Sequence, residues 1–109
     1  MFRFDINTAK MIFLFDGAEE VFDFKKSGER KTNDSGIPQF KINAIARTPG
    51  DRASQSIAVK VYSRKNPADD ISLYAQIKFE GLAALVYEMN GKTGVSFSAD
   101  SVARAQAAK

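Results

Sequence analysis

From Pro38 to Lys65 the chain alternates apolar and polar residues through two runs joined by a turn cluster, and few folds accept such a stretch. Phe40, Ile42, Ala44 and Ala46, then Ile57, Val59 and Val61, share one side, while Lys41, Asn43 and Arg47, then Lys60, Tyr62 and Arg64, share the other. Successive side chains of a strand leave opposite faces, so a period of two marks a strand with one face buried. The connecting Thr48-Pro-Gly-Asp-Arg-Ala-Ser54 is rich in turn residues, which makes the pair an antiparallel ladder. Its outer face is basic with a tyrosine in the middle, a pattern that suits a polynucleotide platform. The plainer alternative is a solvated strand face whose lysines discourage edge-to-edge aggregation.

The flanking segments predict further strands. Phe2 to Ile6 alternates and reads as a short strand or an arm; Met11 to Phe15 is a continuous apolar run ending at Asp16-Gly17; Val21 to Lys25 alternates again. A strand as apolar as Met11–Phe15 is expected to be buried on both faces, or buried on one and held at a subunit contact on the other. Residues 26–37 have loop composition and carry Lys26, Arg30 and Lys31, with Lys25 just before, so a long basic finger is expected there. Asn66-Pro67-Ala68-Asp69-Asp70 breaks the strand pattern, and the acidic pair suits the start of a short helical turn. Residues 75–89 are too long for one straight strand, and Gly81 interrupts them as glycine does at a barrel bend. Asn90-Gly91 predicts a type I′ hairpin. The return strand, 93–102, should turn Val95, Phe97 and Ala99 inward; residues 103–109 read as a short helical turn or a frayed tail.

At least five strands and no long helix point to an all-β fold, a five-stranded barrel of the oligonucleotide-binding (OB) type with a long loop between its first two strands, occupying residues 1–109 as a single domain. Such barrels bind ligands on the face of strands two and three and with the loops joining strands one to two and four to five. Here those elements are the ladder, the basic finger and the turn ending at Lys92.

Charge falls on the same places. Residues 1–24 have two basic against five acidic side chains (−3), residues 25–65 ten against three (+7), and the remainder four against five (−1). A concentrated basic field attracts polyanions better than the same charge spread evenly. The chain has no histidine and no cysteine. Ser–His–Asp and Cys–His catalysis, disulfides and thiolate metal sites are therefore excluded, and no Gly-rich phosphate loop is present. No enzyme, metal site or small-molecule cofactor is expected. No apolar run approaches the ~18 residues of a membrane span, and the opening MFRFDINTAK lacks the layout of a secretory signal; a cytoplasmic protein without a membrane partner is expected.

The stretch YAQIKFEGLAALVYEMNGKTGVSFSADSV resembles the last two strands of bacterial single-stranded-DNA-binding proteins: an apolar strand, a glycine at its bend, an Asn-Gly hairpin, then alternation closing on Ala99-x-x-Val102. Residues 20–103 also resemble small replication-associated or regulatory proteins of actinobacterial plasmids and integrative conjugative elements. That likeness rests on Asp34-x-Gly36-Ile37-Pro38-x-Phe40, Ile57-Ala58-Val59-Lys60-Val61, Phe79-x-Gly81-Leu82 and Gly94-Val95-Ser96-Phe97-x-Ala99-Asp100. It implies an OB-like barrel that handles DNA on a mobile element. The ending ARAQAAK departs from the acidic, aromatic tip with which the first group recruits partners, and the chain has no tryptophan for stacking.

The expectation is a non-catalytic binder of single-stranded DNA, with RNA the alternative polymer of the same chemistry. Lys41, Arg47, Lys60 and Arg64 would contact phosphates, Tyr62 would stack on a base and Asn43 would hydrogen-bond. Lys25, Lys26, Arg30 and Lys31 would close over the strand, with Lys92 on the other loop. A protein-interaction or assembly module on the same barrel is the competing expectation, because Met11–Phe15 and Leu82–Tyr87 are more apolar than a small barrel interior requires. A homo-oligomer is expected on the same ground.

Overall fold

The computed structural model describes residues 2–23, 29–50 and 52–105. All of its regular structure is β. The strands are β1 (Phe2–Asp5), β2 (Ile12–Glu20), β3 (Phe22–Asp23), β4 (Glu29–Arg30), β5 (Gln39–Arg47), β6 (Ser54–Tyr62), β7 (Gln76–Glu80), β8 (Ala83–Met89), β9 (Lys92–Ser98) and β10 (Ser101–Arg104). Eight of them form one curled sheet in the order β1-β8-β9-β6-β5-β2-β7-β10, and β3 and β4 form a small second sheet. No described helix is long and apolar enough to cross a membrane.

The predicted ladder is the centre of that sheet. β5 and β6 pair antiparallel from Gln39↔Tyr62 to Arg47↔Ser54 with no slip. Pairing without a bulge keeps every second residue on one face, so Phe40, Ile42, Ala44, Val59 and Val61 are all buried. Ile42, Val59 and Val61 are the largest side chains with essentially no exposure, each burial contributing about 1.5–3 kcal/mol. β2 adds Phe13 and Phe15 to this core, and β7 adds Ile77 and Phe79. The rings of Phe13 and Phe79 meet edge to face, 5.1 Å between centroids at 82°, an arrangement the ring quadrupoles favour.

Curling follows from two irregularities. β2 carries a register shift between Phe15 and Ala18 opposite β5, which bends the strand locally. Gly81 splits the expected long strand into β7 and β8, with φ of +65°. A Cβ at this position would crowd the Asp100 carboxylate, which would have to shift, and the positive φ favours glycine on its own account. Past the bend the two halves take different partners. β7 pairs with β2 through Phe13↔Ile77 and Leu14↔Gln76, whereas β8 pairs with β9 from Ala83↔Ser98 to Met89↔Lys92. β9 in turn runs parallel to β6 through Val59↔Phe97 and Lys60↔Ser98. Asn90 and Gly91 both have positive φ, 53° and 77°, as a type I′ turn requires.

Several expectations change. The segments number ten rather than five among the described residues, because bends divide the long runs and short strands add to the edges. The return strand is not continuous: it breaks after Ser98, and β10 crosses to pair with β7 through Ser101↔Glu80 to Arg104↔Ile77. Val95 is 53% exposed rather than inward-packed, since the β8–β9 hairpin projects past the core. Residues 67–70 form a turn with no helix. Of the two alternatives for Met11–Phe15, burial on both faces does not hold: Phe13 and Phe15 are inside, while Ile12 and Leu14 are half-buried on the outer face.

Candidate nucleic-acid interface

On the outer face of β5 and β6, register sets side chains opposite one another in rungs: Gln39 with Tyr62, Lys41 with Lys60, Asn43 with Ala58, Ile45 with Ser56 and Arg47 with Ser54. The rungs make a track about 25 Å long at the usual rise of a strand. Tyr62 closes one end. The residue is 39% exposed, and its hydroxyl accepts a hydrogen bond from Nε2 of Gln39 at 3.0 Å. Gln39 is itself buried, so this bond ties the partly exposed Tyr62 to the sheet. The Oε1 atom of Gln39 is buried with no partner among the described residues.

Lys41 and Lys60 lie directly opposite, and like charges so placed repel. β2 relieves the repulsion by pairing Glu19 with Lys41, where Nζ of Lys41 sits 2.7 Å from Oε2 of Glu19. That hydrogen bond and the lysine charge, with a smaller contribution from a hydrogen bond to Asn43, hold the Glu19 carboxyl below its ordinary value. Lys41 and Asn43 thus both engage Glu19. Among the described residues Lys31, Arg47, Lys60 and Arg64 form no ion pair with a carboxylate.

The other residues singled out in the sequence scatter. Lys31 comes to the Tyr62 end, because its carbonyl accepts the N–H of Gln39 at 2.8 Å and its N–H donates to Val21; its side chain is exposed. Arg64 lies two residues beyond the end of β6, exposed and outside the alternation. Arg47 marks the far end of the track. Lys92 begins β9 six residues before Ser98, the neighbour of Lys60, which puts it about 20 Å along the strand from that rung. Arg30 is on the core side of β5. Its guanidinium stacks over Phe40 at 4.8 Å and approaches Phe22 at 5.8 Å from the ring centroids, and it pairs with Glu20 at 3.4 Å. Those contacts pin the β3–β4 hairpin to β5. Lys25 and Lys26 lie outside the described residues.

Two contributors to the track, Gln39 and Glu19, escaped the sequence. Gln39 was legible in principle: a hairpin centred between Gly50 and Asp51 sets it opposite Tyr62 by counting. Glu19 was not, since its place beside Lys41 depends on which strand flanks β5. Away from the track, Tyr74 is exposed and has φ of +65°, a conformation that bulky side chains rarely adopt and that stores strain. Its N–H donates to the carbonyl of Phe15 at 2.7 Å, which fixes it beside the bulge of β2.

Compared with protein-family models, curated proteins and solved structures, the chain matches none.

Proposed function

We propose that the protein is a non-catalytic binder of single-stranded DNA built on an OB-type barrel, and that the strand lies along the β5–β6 track. The observation that carries this is Tyr62: a partly exposed aromatic side chain held by Gln39, beside Lys60, which forms no ion pair among the described residues, and near the backbone of Lys31. A ring so held offers a stacking surface to any base, worth roughly 1–3 kcal/mol. Lys60, Lys31, Arg64 and Arg47 supply phosphate contacts along and beside the track, while Lys41 is already neutralised by Glu19. Support for the barrel class comes from connectivity. β2, β5 and β6 form a meander, β9 is parallel to β6, and the β7–β8 run joins β2 at one end to β9 at the other. The resemblance to proteins of plasmids and conjugative elements supports a role on a mobile element.

Fluorescence anisotropy of a labelled oligothymidylate tests the proposal. With about four phosphates neutralised, log K should fall against log salt with a slope near −3. Duplex DNA of equal length should bind more weakly. Affinity that ignores salt, or that survives Tyr62→Ala combined with Lys60→Ala, would remove the proposal.

A specific observation also favours an assembly module: Phe2, Phe4, Met89 and Val95 are large apolar side chains left exposed at one end of the sheet. No oligonucleotide binding together with capture of a replication or transfer protein would put that reading first.

A further inference from the structure

β1 ends the eight-stranded sheet, so one of its edges is without a strand partner among the described residues. The N–H of Ile6 donates to the carbonyl of Leu82 at 2.9 Å, and β1 continues this pairing with β8 through Phe4↔Ala84 and Phe2↔Val86. In an antiparallel ladder the direction of the backbone groups alternates. Phe2, Phe4 and Ile6 therefore turn their N–H and C=O toward β8, and Arg3 and Asp5 turn theirs outward.

Unprotected edges of this kind are normally blunted. The opposite edge, β10, carries small and charged side chains, Ser101, Ala103 and Arg104, and its Arg104 guanidinium donates to the carbonyl of Asp70 at 2.7 Å. β1 is built the other way. Phe2 and Phe4 are 71% and 57% exposed, on the same face as Val86 and Ala84, which are paired with Val95 and Phe97. Phe97 packs against the core, so this apolar strip is the core face carried beyond the core and left uncovered. The other face of β1 shows only Arg3 and Asp5, paired with each other at 3.2 Å and both well exposed.

We propose that β1 is the docking edge for a second copy of this chain, pairing antiparallel with β1 of the partner across a two-fold axis with Phe4 opposite its own symmetry mate. The register follows from two independent requirements. Within β1 only Arg3 and Asp5 offer outward backbone groups, so the hydrogen-bonded pairs are drawn from those two residues. Pairing Arg3 with Arg3, or Asp5 with Asp5, opposes like charges; pairing Arg3 with Asp5 opposes unlike charges, and symmetry makes the match twice. That register also brings the two copies of Phe4 together as a close pair and sets Phe2 across from Ile6. The exposed strip becomes continuous between subunits. The track on β5 and β6 takes no part, so the pairing stands whether or not the chain binds DNA.

Light scattering and sedimentation of the full chain from micromolar to submillimolar concentration test this. The expected result is a dimer that dissociates on dilution. Asp5→Arg and Arg3→Asp should each weaken it about tenfold or more, and the double exchange Arg3→Asp/Asp5→Arg should restore it, with circular dichroism unchanged throughout. Should a single reversal fail to fold, Arg3→Pro decides the matter, because it removes one outward N–H and no bond to β8; it too should be monomeric. A wild-type chain that stays monomeric, a dimer indifferent to these changes, or a double exchange that does not recover would each overturn the proposal.

Discussion

The β5–β6 ladder and the β1–β8–β9 wing are written in the same alternating code, yet they end in opposite circumstances. In the ladder, the apolar face of Ile42, Val59 and Val61 is closed off by β2 and β7, and the polar face meets water. In the wing, the corresponding face of Phe2, Phe4 and Val95 is open. The Gly81 bend is where the two diverge, since it sends β7 over the core and β8 away from it. Alternation states which residues share a face. Whether that face is covered depends on which strands arrive on top of it.

The sharpest way to break the comparison is to truncate one residue from each region. Ile42→Ala, in the closed face, should cost about 2–5 kcal/mol in urea unfolding, whereas Phe4→Ala in the wing should change the stability of the folded monomer by less than about 0.5 kcal/mol. Equal losses would mean the wing face is covered after all. Next in size, Tyr62→Ala should weaken oligonucleotide binding by about 1–3 kcal/mol, whereas Ile42→Ala should leave the binding of the folded protein little changed, separating the polar face of the ladder from its apolar one. Gly81→Ala tests the hinge itself. The left-handed backbone and the nearby Asp100 should make it about 1–2 kcal/mol less stable, read as a lower midpoint of thermal unfolding.

The smallest effect concerns Glu19. Its carboxyl titrates below the ordinary value because Lys41 favours the charged form, so its stabilising contribution is present above the unfolded-state value and disappears as pH falls through the lower folded one. Glu19→Gln should abolish that part of the acid dependence and release Lys41. The salt slope of oligonucleotide binding should then steepen by about 0.7, the increment for one further phosphate on a single strand. An unchanged slope would show that Lys41 does not reach the bound strand.

Much of this fold was legible locally. The ladder, the bend at Gly81 and the Asn90–Gly91 turn each depend on a few neighbouring residues and a steric rule, and the Tyr62–Lys60 face followed from counting by twos. The site was legible only in part. Arg30 was a fair candidate for a phosphate contact until two phenylalanine rings took its guanidinium. The segregation of charge along the chain, acidic first and basic next, likewise did not survive folding: β2 carries Glu19 and Glu20 to Lys41 and Arg30. Nothing local marks those partners, because they are separated by a loop whose length says little about where the strands meet.

By itself, then, the order of residues determined the class of structure, the two faces of each strand and the positions of the turns, because backbone sterics and a side-chain period of two act over a few residues. The tertiary structure alone decided which cations stay free, which apolar face is left open and which edge of the sheet is unpaired. Those depend on contacts between distant segments, where the free energy of burial and ion pairing is settled among all the strands at once.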